Sequence, residues 1–299
     1  MVNALLLTVV TIGISAQGIL KKLYNGKIGN RGVFVFNAIS IFSACLFFVF
    51  SSGFKLNFTA EVIPWAIAFA VCFGSASVAG FYAIMNGSLS LTSLVTSYSL
   101  IIPTFYGLIF LDEDASAWFW IGLVFLCVSL FLINSKLGAK KDEGEDKDKT
   151  EGEEIKITLK WVIFALVAFV ANGMCSTVQP AAVRAFTQEY SEEFMIIALL
   201  IVTAIMLAMA FFTEREEIIP CAKGGWYWMA LCGIANGLVN LLVIILSTRM
   251  PTSLMFPIIS AGGIILTWLV CRFLYKEKLS LGQNIALVLG VVAVVFMNL

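Results

Sequence analysis

The chain is 299 residues long, 60% hydrophobic and 13% charged, with 19 basic and 19 acidic residues and no histidine. Ordinary soluble domains carry about 25% charged residues, so this composition excludes a water-soluble globule, which could not hide so much apolar surface. A net charge of zero gives no global field for nucleic acid, and the missing histidine removes Ser-His-Asp and Cys-His nucleophiles and histidine-ligated zinc or haem.

Crossing the ~30 Å hydrocarbon layer takes about 20 mostly apolar residues. Ten such windows follow in chain order, at 2–20, 32–50, 62–87, 89–111, 117–134, 159–180, 194–212, 225–247, 252–274 and 280–298. Backbone amides inside lipid must pair within the protein, and runs of this length do so only as helices. The expected fold class is therefore all-α, a polytopic membrane protein with about ten transmembrane helices. The first 20 residues lack the basic n-region and the small-residue cleavage site of a signal peptide before Lys21 and Lys22, so they read as the first span.

Along these spans the informative groups are uncharged and polar. Gln17 lies in span one, Tyr82 and Asn86 in span three, and Thr92, Thr96, Tyr98, Ser99 and Pro103 in span four. Asn172, Gln179 and Pro180 follow in span six, Asn236 and Asn240 in span eight, and Pro257 and Ser260 in span nine. The spacing of four puts Tyr82 with Asn86, and Asn236 with Asn240, on one helix face each. Such groups either tie helices together, at about 0.6–2 kcal/mol per bond, or line a central polar cavity. Pro103 and Pro257 are expected to interrupt spans four and nine, and Pro180 to end span six, each freeing a backbone carbonyl.

No Asp or Glu falls in the middle third of any span, so no charge is expected inside the cavity and paired carboxylates for acid-base catalysis are absent. An enzyme is not expected, nor a cofactor or a metal. Glu113 and Glu277 stand at the ends of spans four and nine, where they are either hydrated turn residues or helix-orienting carboxylates. The seven cysteines (Cys45, Cys72, Cys127, Cys175, Cys221, Cys232, Cys271) are scattered singly and read as small buried hydrophobes. Trp65, Trp118, Trp120, Trp161, Trp226 and Trp228 lie near span ends and are expected in the interfacial aromatic belt, with Trp268 deeper and packed.

Residues 136–158, KLGAKKDEGEDKDKTEGEEIKIT, form the one long hydrophilic stretch and read as a charged linker between 1–135 and 159–299. Five spans lie on each side. Thr92-Ser93-Leu94 matches Thr252-Ser253-Leu254 at a shift of 160, Glu113 matches Glu277 and Asn134 matches Asn298 at 164, and Gln17 matches Gln179 at 162. Two consecutive five-span copies must lie in opposite orientation. Sixteen of the 19 basic residues fall on the side of the linker, and only Lys55, Arg184 and Arg249 on the other. The positive-inside rule then expects a cytoplasmic linker and external termini.

The segments LTSLVTSYSLIIPTFYGLIFLDEDAS and PTSLMFPIISAGGIILTWLVCRFLYKEKLS, with ten spans and a 5+5 repeat, resemble the drug/metabolite transporter superfamily, EamA-like branch, over essentially the whole chain. In that family helices four and nine end in a Gly-Glu or similar turn before a small hydroxyl residue. Glu277-Lys278-Leu279-Ser280 fits this pattern, while Glu113-Asp114-Ala115-Ser116 fits more loosely with Asp112 in the glycine position. The resemblance implies an inverted-repeat transporter with a central cavity among helices one, three, four, six, eight and nine. Small multidrug relatives place a glutamate in helix one, where this chain has Gln17, so proton coupling through that group does not carry over.

The function expected is secondary transport or export of a small organic metabolite or drug-like solute by alternating access, at a multi-pass cell membrane. A flippase of a lipid-linked substrate is the alternative. The partners are the solute and the bilayer, not nucleic acid, and no coupling ion is assigned. A neutral cavity suits uncharged, zwitterionic or aromatic cationic solutes, the last through the faces of Tyr82 and Tyr98.

Overall fold

The structure is a computed structural model that describes residues 2–54, 59–99, 101–110, 116–133, 158–185, 190–250, 252–273 and 281–296. Among these residues there is no strand, and the chain folds as eleven helices. They are α1 (Val2–Ile28), α2 (Val33–Ser51), α3 (Val62–Asn86), α4 (Leu89–Tyr98), α5 (Ile101–Phe110), α6 (Ala117–Ile133), α7 (Leu159–Ala185), α8 (Ser191–Thr213), α9 (Ile218–Ser247), α10 (Thr252–Phe273) and α11 (Leu281–Phe296). Helices α1, α2, α3, α7, α8 and α9 are each long and apolar enough to cross a membrane, and α4, α6, α10 and α11 contain shorter apolar stretches.

The outward faces are as apolar as the core. Ile63, Ile67 and Val71 stand exposed at helical spacing on α3, and Ile163, Leu166, Val167, Val170 and Met174 do so on α7. Their opposite faces bury Ala66, Phe69 and Ala70, and Ala165, Ala168 and Cys175. A helix with two apolar faces belongs between protein and hydrocarbon, since in water such stripes would drive association. The chain is an integral, multi-pass membrane protein.

Packing is mostly between helices distant in sequence. α1 lies against α9 and α10, α3 against α7 and α8, α2 between α8 and α9, α10 against α4, and α6 against α11. Lipid tails are as apolar as leucine, so small residues that permit close approach matter more here than apolar area. The core between α2, α3, α7 and α8 accordingly contains Ala38, Ala44, Ala66, Ala70, Ala182 and Ala198. At Gly233 of α9 an added Cβ would run into the backbone carbonyl of Ser40 on α2.

Two expectations about helix ends change. The fourth apolar run is divided into α4, which ends at Tyr98, and α5, which begins at Ile101, with a turn at Ser99, four residues before Pro103. Pro103 has no N–H for the carbonyl of Ser99, and that oxygen accepts instead from Ile102 N at 3.0 Å, closing a tighter turn. Pro180 and Pro257 do not act in this way. α7 continues through Pro180 to Ala185, and α10 runs unbroken through Pro257. The proline ring removes one hydrogen bond in each, which neighbouring helices can tolerate in a membrane. The linker up to residue 157, together with Glu113, Glu277, Asn134 and Asn298, lies outside the described residues.

One end of the bundle is fastened by polar contacts between the α1–α2 and α8–α9 connections. Gly32 takes φ +66° to turn the chain into α2, and a side chain there would strike Cys221 Sγ and Tyr24 Oη. Glu214 Oε2 accepts from the free N–H groups of Phe34 (2.9 Å) and Val35 (3.1 Å) in the first turn of α2. Burial pushes this carboxyl above the usual carboxylate range, against the pull of those N–H groups. Arg31 Nη1 pairs with Glu217 Oε1 at 3.5 Å, and Lys27 Nζ donates to Tyr227 Oη at 2.6 Å.

The α2–α9 contact gives a direct stability test. Gly233→Ala is expected to destabilise the detergent-solubilised protein by about 1–3 kcal/mol, because the backbone of Ser40 cannot yield as a side chain would. Gly26→Ala, where a Cβ meets nothing within 4 Å, is expected to be neutral or slightly stabilising in the same thermal unfolding measurement.

Candidate functional site

A cavity of about 270 Å³ lies inside the bundle, lined from α1, α3, α4, α7, α9 and α10. These helices carry the first, third, fourth, sixth, eighth and ninth apolar runs of the sequence. The volume is near the lower end of small-molecule pockets, ~300–1,000 Å³. Gln17, Asn172, Gln179, Asn236, Asn240 and Ser260 line it, together with the hydroxyls of Ser77, Thr92, Ser93, Thr96, Ser97, Ser176 and Thr267.

Gln17 and Gln179 do not meet directly. A relay of amides on α9 joins them. Gln179 Nε2 donates to Asn240 Oδ1 at 3.4 Å, Asn240 Nδ2 to Asn236 Oδ1 at 3.1 Å, and Asn236 Nδ2 to Gln17 Oε1 at 2.9 Å. Two backbone carbonyls fix its direction. Gln17 Nε2 donates to Gly13 O at 3.3 Å, and Asn240 Nδ2 also donates to Asn236 O at 2.9 Å. A carbonyl accepts only, so the nitrogen of each of these amides is determined, and the oxygens that remain set the orientation of Asn236 and Gln179.

The other polar candidates divide. Asn172 Nδ2 donates to Ser99 Oγ at 2.7 Å, bridging α7 to the break between α4 and α5. Ser260 Oγ donates to Ser97 O at 2.9 Å, joining α10 to α4. Pro103 is buried beyond the break, and Pro180 has no N–H for the carbonyl of Ser176 in the cavity wall. Tyr82, Asn86 and Tyr98 are not among the lining residues. Asn86 Nδ2 donates to Tyr82 O at 2.7 Å within its own helix, and the Tyr82 ring stacks on Phe164 at 4.9 Å. Tyr98 is buried, its hydroxyl 2.6 Å from Ser129 Oγ, which donates to Ala286 O. The two rings expected to hold an aromatic cation therefore serve packing. Glu113 and Glu277 lie outside the described residues.

The expectation of a neutral cavity is overturned by Lys21, which lines it. The apolar run ends at residue 20, but α1 continues to Ile28 and carries Lys21 inward one turn beyond Gln17, on the same face. Trp161 is a second departure from the sequence reading. It is buried, and its Nε1 donates to Thr92 Oγ1 at 2.9 Å behind the cavity wall, whereas Trp118, Trp120 and Trp226 are exposed. Trp268 packs beside the core around Tyr98, and all seven cysteines are free, five of them buried. Only helix length could have revealed Lys21, because a Lys-Lys pair after an apolar run otherwise reads as an interfacial stop.

No family model matches the chain. Over 73 residues, 24% of this chain, it is 33% identical to a Pseudomonas fluorescens (strain Pf0-1) protein described as "Probable 4-amino-4-deoxy-L-arabinose-phosphoundecaprenol flippase subunit ArnE". The match spans 61% of that relative's length. A protein of known crystal structure superposes with a TM-score of 0.61 over 96% of this chain and 95% of its own, at 13% identity, a likeness of fold alone. What these findings show together is a multi-pass membrane protein that is similar, over about a quarter of its length, to part of a flippase subunit.

The relay predicts non-additive mutations. Gln17→Leu leaves Asn236 Nδ2 without its acceptor and is expected to cost about 1–2 kcal/mol of stability. Gln17→Leu combined with Asn236→Leu is expected to cost less than the two single changes added together, as read in a double-mutant cycle of thermal unfolding. Simple additivity would mean that the two side chains do not interact.

Proposed function

We propose that this chain is a transporter that carries a small organic solute across the membrane by alternating access, with the central cavity as its binding site. The observation that carries the reading is the cavity itself, in which amides of α1, α7 and α9 converge inside a protein whose outer faces are apolar. Burying so many polar side chains in lipid is costly unless they serve packing, a ligand or both. No cofactor or metal chemistry enters this reading, and the chain is not an enzyme in it.

In this proposal the chain has ten spans, α4 and α5 together making a broken fourth. They form two inverted five-helix repeats of the EamA-like kind, 1–135 and 159–299, with the charged linker between them. The packing pattern supports this. Exchanging α1 with α7, α2 with α8, α3 with α9, α4 and α5 with α10, and α6 with α11 turns the α1–α9 contact into α7–α3. The same exchange turns α2–α9 into α8–α3 and α1–α10 into α7 against α4 and α5, and it leaves α2–α8 and α6–α11 unchanged. Two such repeats rocking around a fixed midplane site produce alternating access. The distribution of basic residues supports a cytoplasmic linker and external termini in a cell membrane.

The 73-residue match favours a second reading, a flippase of a lipid-linked substrate. A cavity of 270 Å³ would then take only the polar headgroup, with the chain leaving between helices into the bilayer.

Reporter fusions at residue 145 and at the C-terminus are expected to lie on the cytoplasmic and external sides. Finding both in the cytoplasm contradicts ten spans. Comparing cells that lack and overexpress the protein is expected to show a small solute redistributed between cytosol and medium. An unchanged metabolite profile alongside an altered lipid-linked pool would replace the primary reading with the flippase.

A further inference from the structure

We propose that the cavity recognises an anionic group, a phosphate or carboxylate, on its ligand, and that Lys21 is the residue that binds it. This rests on the reading of the cavity as a solute site and names the class of solute. Lys21 lines the cavity, and no acidic side chain is among the lining residues. Among the described residues its ammonium has no hydrogen-bond or ion-pair partner. Its position is seven residues before the end of α1, about 10 Å along the axis from the terminus at 1.5 Å per residue. A cation held that far within a helical bundle is costly when unpaired, and an anion arriving in the cavity supplies the missing partner.

The amide relay points to the same chemistry by an independent route. The two backbone anchors commit the oxygens of Gln17, Asn236 and Asn240 as acceptors within the relay. Each amide nitrogen carries two hydrogens. Gln17 Nε2 uses one on Gly13, Asn236 Nδ2 one on Gln17, and Asn172 Nδ2 one on Ser99. What remains toward the cavity is a set of N–H donors beside an ammonium. The hydroxyls of Thr92 and Thr96 already donate to their own helix, to Ser88 O and Thr92 O. Free N–H donors beside an ammonium suit phosphate or carboxylate oxygens, since charge-assisted N–H···O⁻ bonds are about twice as strong as neutral ones, while the hydroxyl oxygens of Thr92 and Thr96 keep lone pairs for the hydroxyl groups of the same ligand.

A soluble organic anion and the phosphate of a lipid-linked sugar offer this chemistry equally, and a panel of matched probes separates them. The full chain, purified in detergent, is titrated with glucose and glucose 6-phosphate, benzamide and benzoate, and a short-chain polyprenol and its monophosphate, with thermal stabilisation and affinity as readouts. At least one anion is expected to bind while its neutral counterpart does not. Lys21→Met is expected to weaken that binding tenfold or more, and Lys21→Arg to keep it within about threefold. Lys21→Met is also expected to raise the melting temperature of the ligand-free protein, because it removes an unpaired charge, whereas a purely structural lysine would lower it. Binding of glucose phosphate or benzoate alone identifies a soluble source, and of polyprenyl phosphate alone a lipid source. Equal binding of neutral and charged partners, binding unchanged in Lys21→Met, or no anion binding across the panel overturns the inference. Transport of an uncharged solute that survives Lys21→Met would sink the anion site but leave the transporter reading standing. Lys21-dependent anion binding without transport by reconstituted vesicles would do the reverse.

Discussion

In hydrocarbon, a polar group has no water to turn to, and its partner must come from within the protein, from its own helix or from a neighbouring one. The interior of this protein is arranged around that constraint. The relay from Gln179 through Asn240 and Asn236 to Gln17 ties α7, α9 and α1 together in one direction, set by two backbone carbonyls. Shorter ties repeat the pattern around it. Trp161 binds Thr92 between α7 and α4, Thr267 binds Ser15 between α10 and α1, and Tyr98 reaches Ser129 between α4 and α6. Each is a modest interaction in energy, yet each fixes which helix faces which, a choice that apolar surfaces in lipid leave open.

Those ties leave a cavity at the centre because the helices around it are not uniform. Where α2 meets α9, Gly233 lets backbones approach closely. Where α4 would continue straight, Pro103 withholds a hydrogen bond four residues back and the chain turns at Ser99, with Asn172 seated on it. Close packing on one side and a broken helix on the other leave room in between for amides and hydroxyls. The polar groups therefore both hold the bundle and line its interior, and the two roles are not alternatives for a residue such as Asn172.

The fold was legible from residue patterns to the extent that length and apolarity determine it. Each apolar window falls on a helix, the fourth on α4 and α5 together, though α1, α7 and α9 extend well beyond theirs, and six of the nine polar candidates line one cavity. Tyr82, Asn86 and Tyr98 could not be separated from them, because facing inward and facing a neighbouring helix look alike in a sequence where every face is apolar. Lys21 was hidden for a different reason. Hydropathy marks where the apolar run stops, whereas a helix stops where its backbone bonds run out, and α1 runs eight residues further. Pro180 misled in the same way: in water it would end a helix, but between packed helices one missing bond is tolerated.

The extension of α1 matters beyond the position of one lysine. The same rigid helix carries Gln17 and Lys21 into the cavity, and then Tyr24 and Lys27 into the clamp at the end of the bundle. Tyr24 sits edge-on to Phe36 and Phe81, with ring centroids 4.8 and 6.0 Å away, and its hydroxyl donates to Arg31 O. Lys27 reaches Tyr227 on α9, and Arg31 reaches Glu217 just before it. The partner of Gln17, Asn236, lies on α9 as well. One helix pair thus holds both the inner polar contact and the outer clamp, at sites about two to three turns apart on each rod. A ligand that competes for Gln17 or draws on Lys21 acts on the α1–α9 contact, and any tilt of α1 against α9 strains Lys27–Tyr227 and Arg31–Glu217 together. In the proposed alternating access, this geometry links occupancy of the cavity to the closure of one end without requiring a separate gate, because both are properties of a single interface.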